Sequence, residues 1–331
     1  MSRRFPMSHR FLVAVGFMVM LMVLPAPAAG QALLSAAKTW TAPRTPDGQP
    51  DLEGLWTNAT ITPFERPKDL AGKQFFTERE AAEYETRLLQ ESNKDRRDGT
   101  PEEDVGRAYN DSWWDRGTKL VPTRRTSLVI DPPDGKVPPL TPEAQKAAAV
   151  RARALQRPAE GPEDRGLPER CILWPTAGPP MVPSAYNNNY QILQTPGYVV
   201  IFIEMIHDVR IIPLDGRPHL PENVRQWLGD SRGHWERNTL VVDTTNFTDK
   251  THFRGADQNL HLVERFTRTD AETILYQFTV DDPTAFTRSW SGEIPLTRFP
   301  GPIYEYACHE GNYGMTNILT GARAEEKAAK K

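Results

Sequence analysis

Proline is spread unevenly along this 331-residue chain, and that limits what each half can fold into. Residues 40–183 carry 19 prolines, whereas residues 184–331 carry 8. Average usage is about 5%, so the first stretch lies far above it. Each proline removes a backbone donor and is kept out of central strands. The first half therefore reads as extended chain with a few short elements. TEREAAEYETRLLQES opens at Thr77 with Glu80 three residues on, a capping box that starts a helix. TPEAQKAAAVRARALQ offers Thr141 as N-cap and Pro142 at the first helical position. Between them TSLVIDPPDG, residues 126–135, reads as one short strand and a turn.

The second half has a different grammar. Eight segments alternate or run apolar over strand lengths: 189–195, 198–206, 208–214, 239–247, 260–268, 273–281, 288–296 and 304–310. Turn signals such as Pro196-Gly197, Asp215-Gly216, Arg237-Asn238 and Pro300-Gly301 separate most of them. PENVRQWLG, 221–229, reads as a short helix between the third and fourth strands. The tail from Asn312 reads as a C-terminal helix with a charged tip. Short strands in successive hairpins predict a mainly β fold, an eight-stranded up-and-down barrel. Such a barrel can hold one small ligand. VVIFIEMI is apolar on both faces, so something must cover its outer side. The Pro-rich half is the available cover. The expected organisation is residues 1–28 as a signal peptide and 29–183 as a wrapping segment. The barrel with its helix takes 184–331, and wrap and barrel form one integrated unit.

The first thirty residues set the compartment. MSRRFPMSHR is basic, FLVAVGFMVMLMVL is a 14-residue apolar run, and PAPAAGQA offers cleavage after Ala28 or Ala32. That is the three-part pattern of a secretory signal. The apolar run falls short of the about 20 residues of a membrane span. The chain is thus expected to be exported, periplasmic or secreted, with no integral membrane segment after cleavage. Loss of the three leader arginines takes the formal charge from −3 to −6. A mildly acidic surface gives no electrostatic reason to bind nucleic acid. Two cysteines, Cys171 and Cys308, would meet oxidising surroundings after export and are expected to pair. No CxxC, HExxH, P-loop or GxGxxG spacing occurs, so neither a cofactor nor a metal is expected.

Chemistry is carried by a few polar residues in apolar strands. In YEYACHEGNYG, 304–314, Cys308 shares one strand face with Tyr304 and Tyr306, and His309 shares the other with Glu305. If Cys308 bonds to Cys171 in the wrapping half, His309 and Glu305 point into the barrel. EMIHD places Glu204, His207 and Asp208 at the end of an oily strand. His207 and Asp208 either carry a turn that has no Gly or Pro, or form an acid–base pair at the barrel mouth. HLVER supplies His261, with Arg265 on one face and Glu264 on the other; the last two read as surface cross-strand charges. Asp243 stands alone in TLVVDTTNF and either bonds the neighbouring threonine backbone or a partner arginine. The candidate acid–base groups are His309, Glu305, His207, Asp208 and His261; the candidate ligand-binding residues are Glu204, Asn188, Trp113 and Trp114. Each has a bland alternative: a satisfied interior histidine, an asparagine turn, or tryptophans that staple the wrap.

Several stretches resemble a widespread family of uncharacterised exported bacterial proteins. They include TPDGQPDLEGLWTNATITPFERP, GHWERNTLVVDTTNFTDKTHFRG and YEYACHEGNYG, and together with similar segments they cover most of the chain. The resemblance implies secretion and carries no established activity. The β half is similar to lipocalin-like barrels, in which a Gly-x-Trp near the start closes the base; Gly54-Leu55-Trp56 is placed to do so. Lipocalin-like barrels include carriers of small apolar molecules and some isomerases and cyclases, and fold alone does not choose between them. The leading expectation is an exported barrel that binds a small apolar or aromatic molecule in its cavity. One alternative is a cofactor-independent isomerase, lyase or hydrolase using a His/carboxylate group there. The other is a structural or interaction protein with a filled barrel.

Overall fold

The computed structural model describes residues 40–95, 97, 99–107 and 114–330. Its sheet is built from ten strands: β1 (Gly54–Thr57), β2 (Val129–Asp131), β3 (Asn189–Thr195), β4 (Tyr198–Ile203), β5 (Val209–Pro213), β6 (Asp230–Glu236), β7 (Thr239–Thr245), β8 (His261–Arg268), β9 (Thr273–Asp281) and β10 (Trp290–Arg298). Among the described residues four α-helices accompany it: α1 (Glu78–Ser92), α2 (Pro101–Arg107), α3 (Pro142–Leu155) and α4 (Tyr313–Ala329). Nine strands run in the order β5-β4-β3-β1-β10-β9-β8-β7-β6, and β2 adds to β10. Every pairing is antiparallel.

The ring is nearly closed. β5 and β6 share no ladder, and side chains span the seam instead. Gly233 of β6 makes this approach possible: a Cβ there would lie 2.8 Å from Ile212 and 2.7 Å from Leu214. Arg210 of β5 donates to Ser231 Oγ of β6 at 3.3 Å.

Seven of the eight expected strands are present. Both expected N-terminal helix starts are present too: Thr77 with Glu80 forms the capping box, and Thr141 caps α3 ahead of Pro142. The strand count differs, because GLWT enters the ring between β3 and β10 as β1. Its Gly-x-Trp spacing has a packing reason. Gly54 has φ +126° and faces Arg298, where a Cβ would sit 2.0 Å from Nη1. That freedom lets the Arg298 guanidinium lie 4.6 Å from the centre of the buried Trp56 ring.

Two expectations are corrected. Residues 221–229 form turns, with no helix, and the polar segment DSRGHWE after them is strand β6. Its charges lie largely on the outward side, so it lacks the apolar signature of a strand. Residues 304–310 are irregular chain ending in a turn. β10 is already paired with β9 and β1, and the segment is held across one mouth of the barrel by side-chain bonds instead. On the outer face, Val200 and Phe202 of β4 are partly buried, while Leu193 of β3 and Val209 and Ile211 of β5 are 42%, 48% and 61% exposed.

Inside, alternation delivers a filled barrel. Trp56, Tyr190, Phe266, Tyr276, Phe278 and Trp290 all point inward and are at most 2% exposed. Phe266–Tyr276 and Tyr276–Phe278 ring centres lie 4.9 and 5.7 Å apart, within the range of favourable aromatic contact.

Candidate functional site

Three polar constellations stand out from this apolar frame. The first is at the mouth crossed by residues 301–312. A cavity of about 770 Å³ opens there between that segment, the loop before β3 and the turn after β4. Glu204, 2% exposed, forms its base. One Glu204 oxygen accepts from Asn189 Nδ2 at 2.7 Å and the other from the Tyr304 N–H at 3.1 Å. Cys171 and Cys308 form a disulfide in the same wall. Glu305 lines the cavity from its exposed rim. His207 is exposed and donates from Nδ1 to the Tyr306 carbonyl at 3.0 Å. The turn that presents it is carried by Ile206 and His207, with φ of 61° and 49°, whereas Asp208 is extended. Asp115 also lines the cavity; desolvation and then the Glu204 charge push its carboxyl above the usual range.

The second constellation is inside the barrel. Arg210 Nη1 and Nη2 reach Glu264 Oε1 and Oε2 at 3.1 and 2.5 Å. Tyr276 Oη donates to Glu264 Oε1 at 2.8 Å and accepts the Met181 N–H at 3.0 Å. Glu264 is therefore a buried partner of Arg210, not a surface charge. Arg265 is on the surface as expected, 2.7 Å from Glu236.

The third lies on the outer wall. His261 Nε2 donates to Asp243 Oδ2 at 2.8 Å, and His219 Nε2 to Asp243 Oδ1 at 2.9 Å. His219 Nδ1 is 2.9 Å from Asp230 Oδ2, and Arg232 completes the chain 3.0 Å from Asp230 Oδ1. Carboxylate oxygens only accept, so His219 makes both bonds at once only as the doubly protonated ring. The hydrogen bond that His261 donates to Asp243 raises the His261 pKa above that of an ordinary imidazole. The reciprocal bond holds Asp243 below its usual range, against partial desolvation.

The expected site residues are thus dispersed. Glu204 and Glu305 meet at the mouth, with His207 at its edge. His309 is exposed on the turn after Cys308, so it does not point into the barrel; because 304–310 is not a strand, the alternation that aimed His309 and Glu305 inward does not apply. Asp208 lines a separate groove of about 650 Å³ along the β5–β6 seam. Its Oδ2 is buried without a hydrogen-bond partner, and desolvation raises its pKa to about 6, with His207 opposing. His261 is on the outer wall. Asn188 is spent on its own loop, accepting the Ser184 N–H at 2.7 Å and donating to the Asp115 carbonyl at 2.5 Å. Trp113 lies outside the described residues, and Trp114 stacks under Lys94 and Arg116 at 4.9 and 5.3 Å.

Arg210, Tyr276 and His219 were not legible as site residues. For Glu264 a signal existed: it shares strand parity with Leu262 and Phe266, which marks the inward face. His219 sits in a loop, where no periodicity announces a contact. Among the described residues no group of three or more His, Cys, Asp or Glu could hold a metal, and no helix is long and apolar enough to cross a membrane. Compared with family models, curated proteins and solved structures, the chain matches none.

Proposed function

We propose that this is an exported, lipocalin-like binding protein that holds a small molecule with an aromatic or apolar body at the barrel mouth. The observation that carries the reading is the cavity of about 770 Å³ walled by Tyr186, Phe299, Tyr304 and Tyr306, with Glu204 and Asn189 at its base. Its size suits a small ligand, and a few fixed polar groups in an aromatic wall are what orient one. The filled interior moves the ligand from the barrel centre to this mouth. Export is supported by the disulfide, which belongs to an oxidising compartment. The test is amide chemical-shift mapping against a library of small aromatic compounds. Shifts gathered on Asn187, Asn189 and 304–308 are expected; shifts confined to other surfaces, or none at millimolar ligand, refute the reading.

A second reading, an interaction protein with a filled barrel, is favoured by the exposed Leu193, Val209 and Ile211 on the outer face of β3–β5. Concentration-dependent self-association abolished by Ile211→Lys would support it, and a strictly monomeric protein with no captured partner would count against it.

A further inference from the structure

We propose that the mouth cavity receives a small organic cation, an amine or quaternary ammonium on an aromatic or apolar body. The proposal rests on the reading of that cavity as a ligand site and names the ligand's chemistry. Four acidic residues line the cavity, Asp115, Glu169, Glu204 and Glu305, and among the described residues its lining contains no Lys, Arg or His. None of the four is ion-paired with a described residue. The donors to Glu204 are a side-chain amide and a backbone N–H, both neutral, so its charge stays uncancelled. Desolvation first, and then the Glu204 charge, raise the Asp115 pKa. Like charges gathered this way are relieved by a bound cation.

Asn189 points to a ligand independently. It is 4% exposed and lines the cavity. Its Nδ2 is fixed on Glu204, because a carboxylate accepts only from the amide nitrogen. That leaves Oδ1 buried with no donor. An ammonium N–H provides the missing donor and the missing charge together. The tyrosines supply ring faces, to which a cation is drawn by the quadrupole; Tyr304, 68% exposed, stands at the rim with its ring accessible. An anionic ligand would meet four like charges in the same space.

Three probes of one size decide the matter at neutral pH on the purified protein: 2-phenylethylammonium, 2-phenylethanol and 3-phenylpropionate, followed by calorimetry and amide shifts. The ammonium is expected to bind roughly tenfold tighter than the alcohol, moving Asn189 and 304–308, and the propionate not to bind. Glu305→Gln, at an exposed position, and Asp115→Asn should each weaken the ammonium several-fold more than they weaken the alcohol. Equal binding of alcohol and ammonium at the same residues overturns the cation and leaves the small-molecule site standing. Ammonium binding indifferent to both substitutions also overturns it. If no probe moves these amides at millimolar concentration, the site itself falls, and the cation with it.

Discussion

Arg210 of β5 and Glu264 of β8 face each other across the barrel interior as a two-point fork, with side chains 1% and 0% exposed. The strands they join are not neighbours, and β5 has no ladder to β6. The same guanidinium also reaches Ser231, whose hydroxyl lies 3.0 Å from Thr244 Oγ1. A polar belt therefore ties together the part of the wall that backbone hydrogen bonds leave open.

Breaking one side of the fork should be far worse than removing both. Arg210→Met strands a buried carboxylate and is expected to cost about 3–5 kcal/mol. Arg210→Met with Glu264→Leu should recover most of that loss, since a buried pair is often replaceable by apolar packing. Urea unfolding of both variants measures this; equal losses in the two would refute the compensation.

Tyr276→Phe removes a donor to Glu264 and the acceptor of the Met181 N–H together. The expected cost is about 1–3 kcal/mol, from buried groups left without partners. A change within experimental error would mean that water takes both places.

The disulfide closes a separation of 137 residues. In the chain-entropy model that is worth about 4–5 kcal/mol. Cys171→Ala and Cys308→Ala should lower stability by similar amounts, and the double variant by no more than either. Clearly unequal single losses would show that one cysteine has a second role.

Asp208 gives a pH dependence of definite sign. Its folded pKa of about 6 lies above the 3.8 of an ordinary aspartate, so the folded state disfavours the charged form. Its penalty is absent below the unfolded pKa and grows as pH rises, reaching its full value above about 6. Asp208→Asn should therefore stabilise the protein at neutral pH and not at acidic pH. Because the group is partly solvated, the gain is on the order of 1 kcal/mol. Thermal melts across acidic to neutral pH check it; a loss at neutral pH would contradict the assignment.

His261 titrates in the opposite sense. Its pKa is raised by Asp243, so the stability it contributes is fully present below the unfolded imidazole pKa and is lost as pH rises through the folded one. Asp243, with its pKa lowered, contributes above the unfolded carboxylate pKa and loses that contribution as pH falls through its folded one. Their bond is strongest between those two ranges. An NMR titration should place the His261 midpoint above that of a free imidazole, and Asp243→Asn should bring it down. An unchanged midpoint in that variant would remove Asp243 as the cause.

Much of the frame was legible because its signals are local. Thr77-x-x-Glu80 is a capping box in sequence and in space, and the strand at 189–195 is bounded as its alternation predicts. Strand β6 was not legible, because its polar residues lie on a side that another loop covers, where His219 meets Asp230. The segment 304–310 alternates like a strand, but β10, the strand before it, is already paired with β9 and β1. Its Tyr304 N–H is taken by Glu204, 100 residues earlier.

The sequence by itself determined the β grammar of the second half and the helix starts, since caps, alternation and turn residues act over a few residues, and the cysteine pair, since only two cysteines are present. Tertiary structure alone decided which polar residues meet. Arg210 finds Glu264 over 54 positions and Asn189 finds Glu204 over 15, and His219 reaches Asp243 over 24. Strand parity can say which side a residue takes. Only closure of the ring says which distant residue waits on that side, because the partner is set by strand order and register rather than by any local preference.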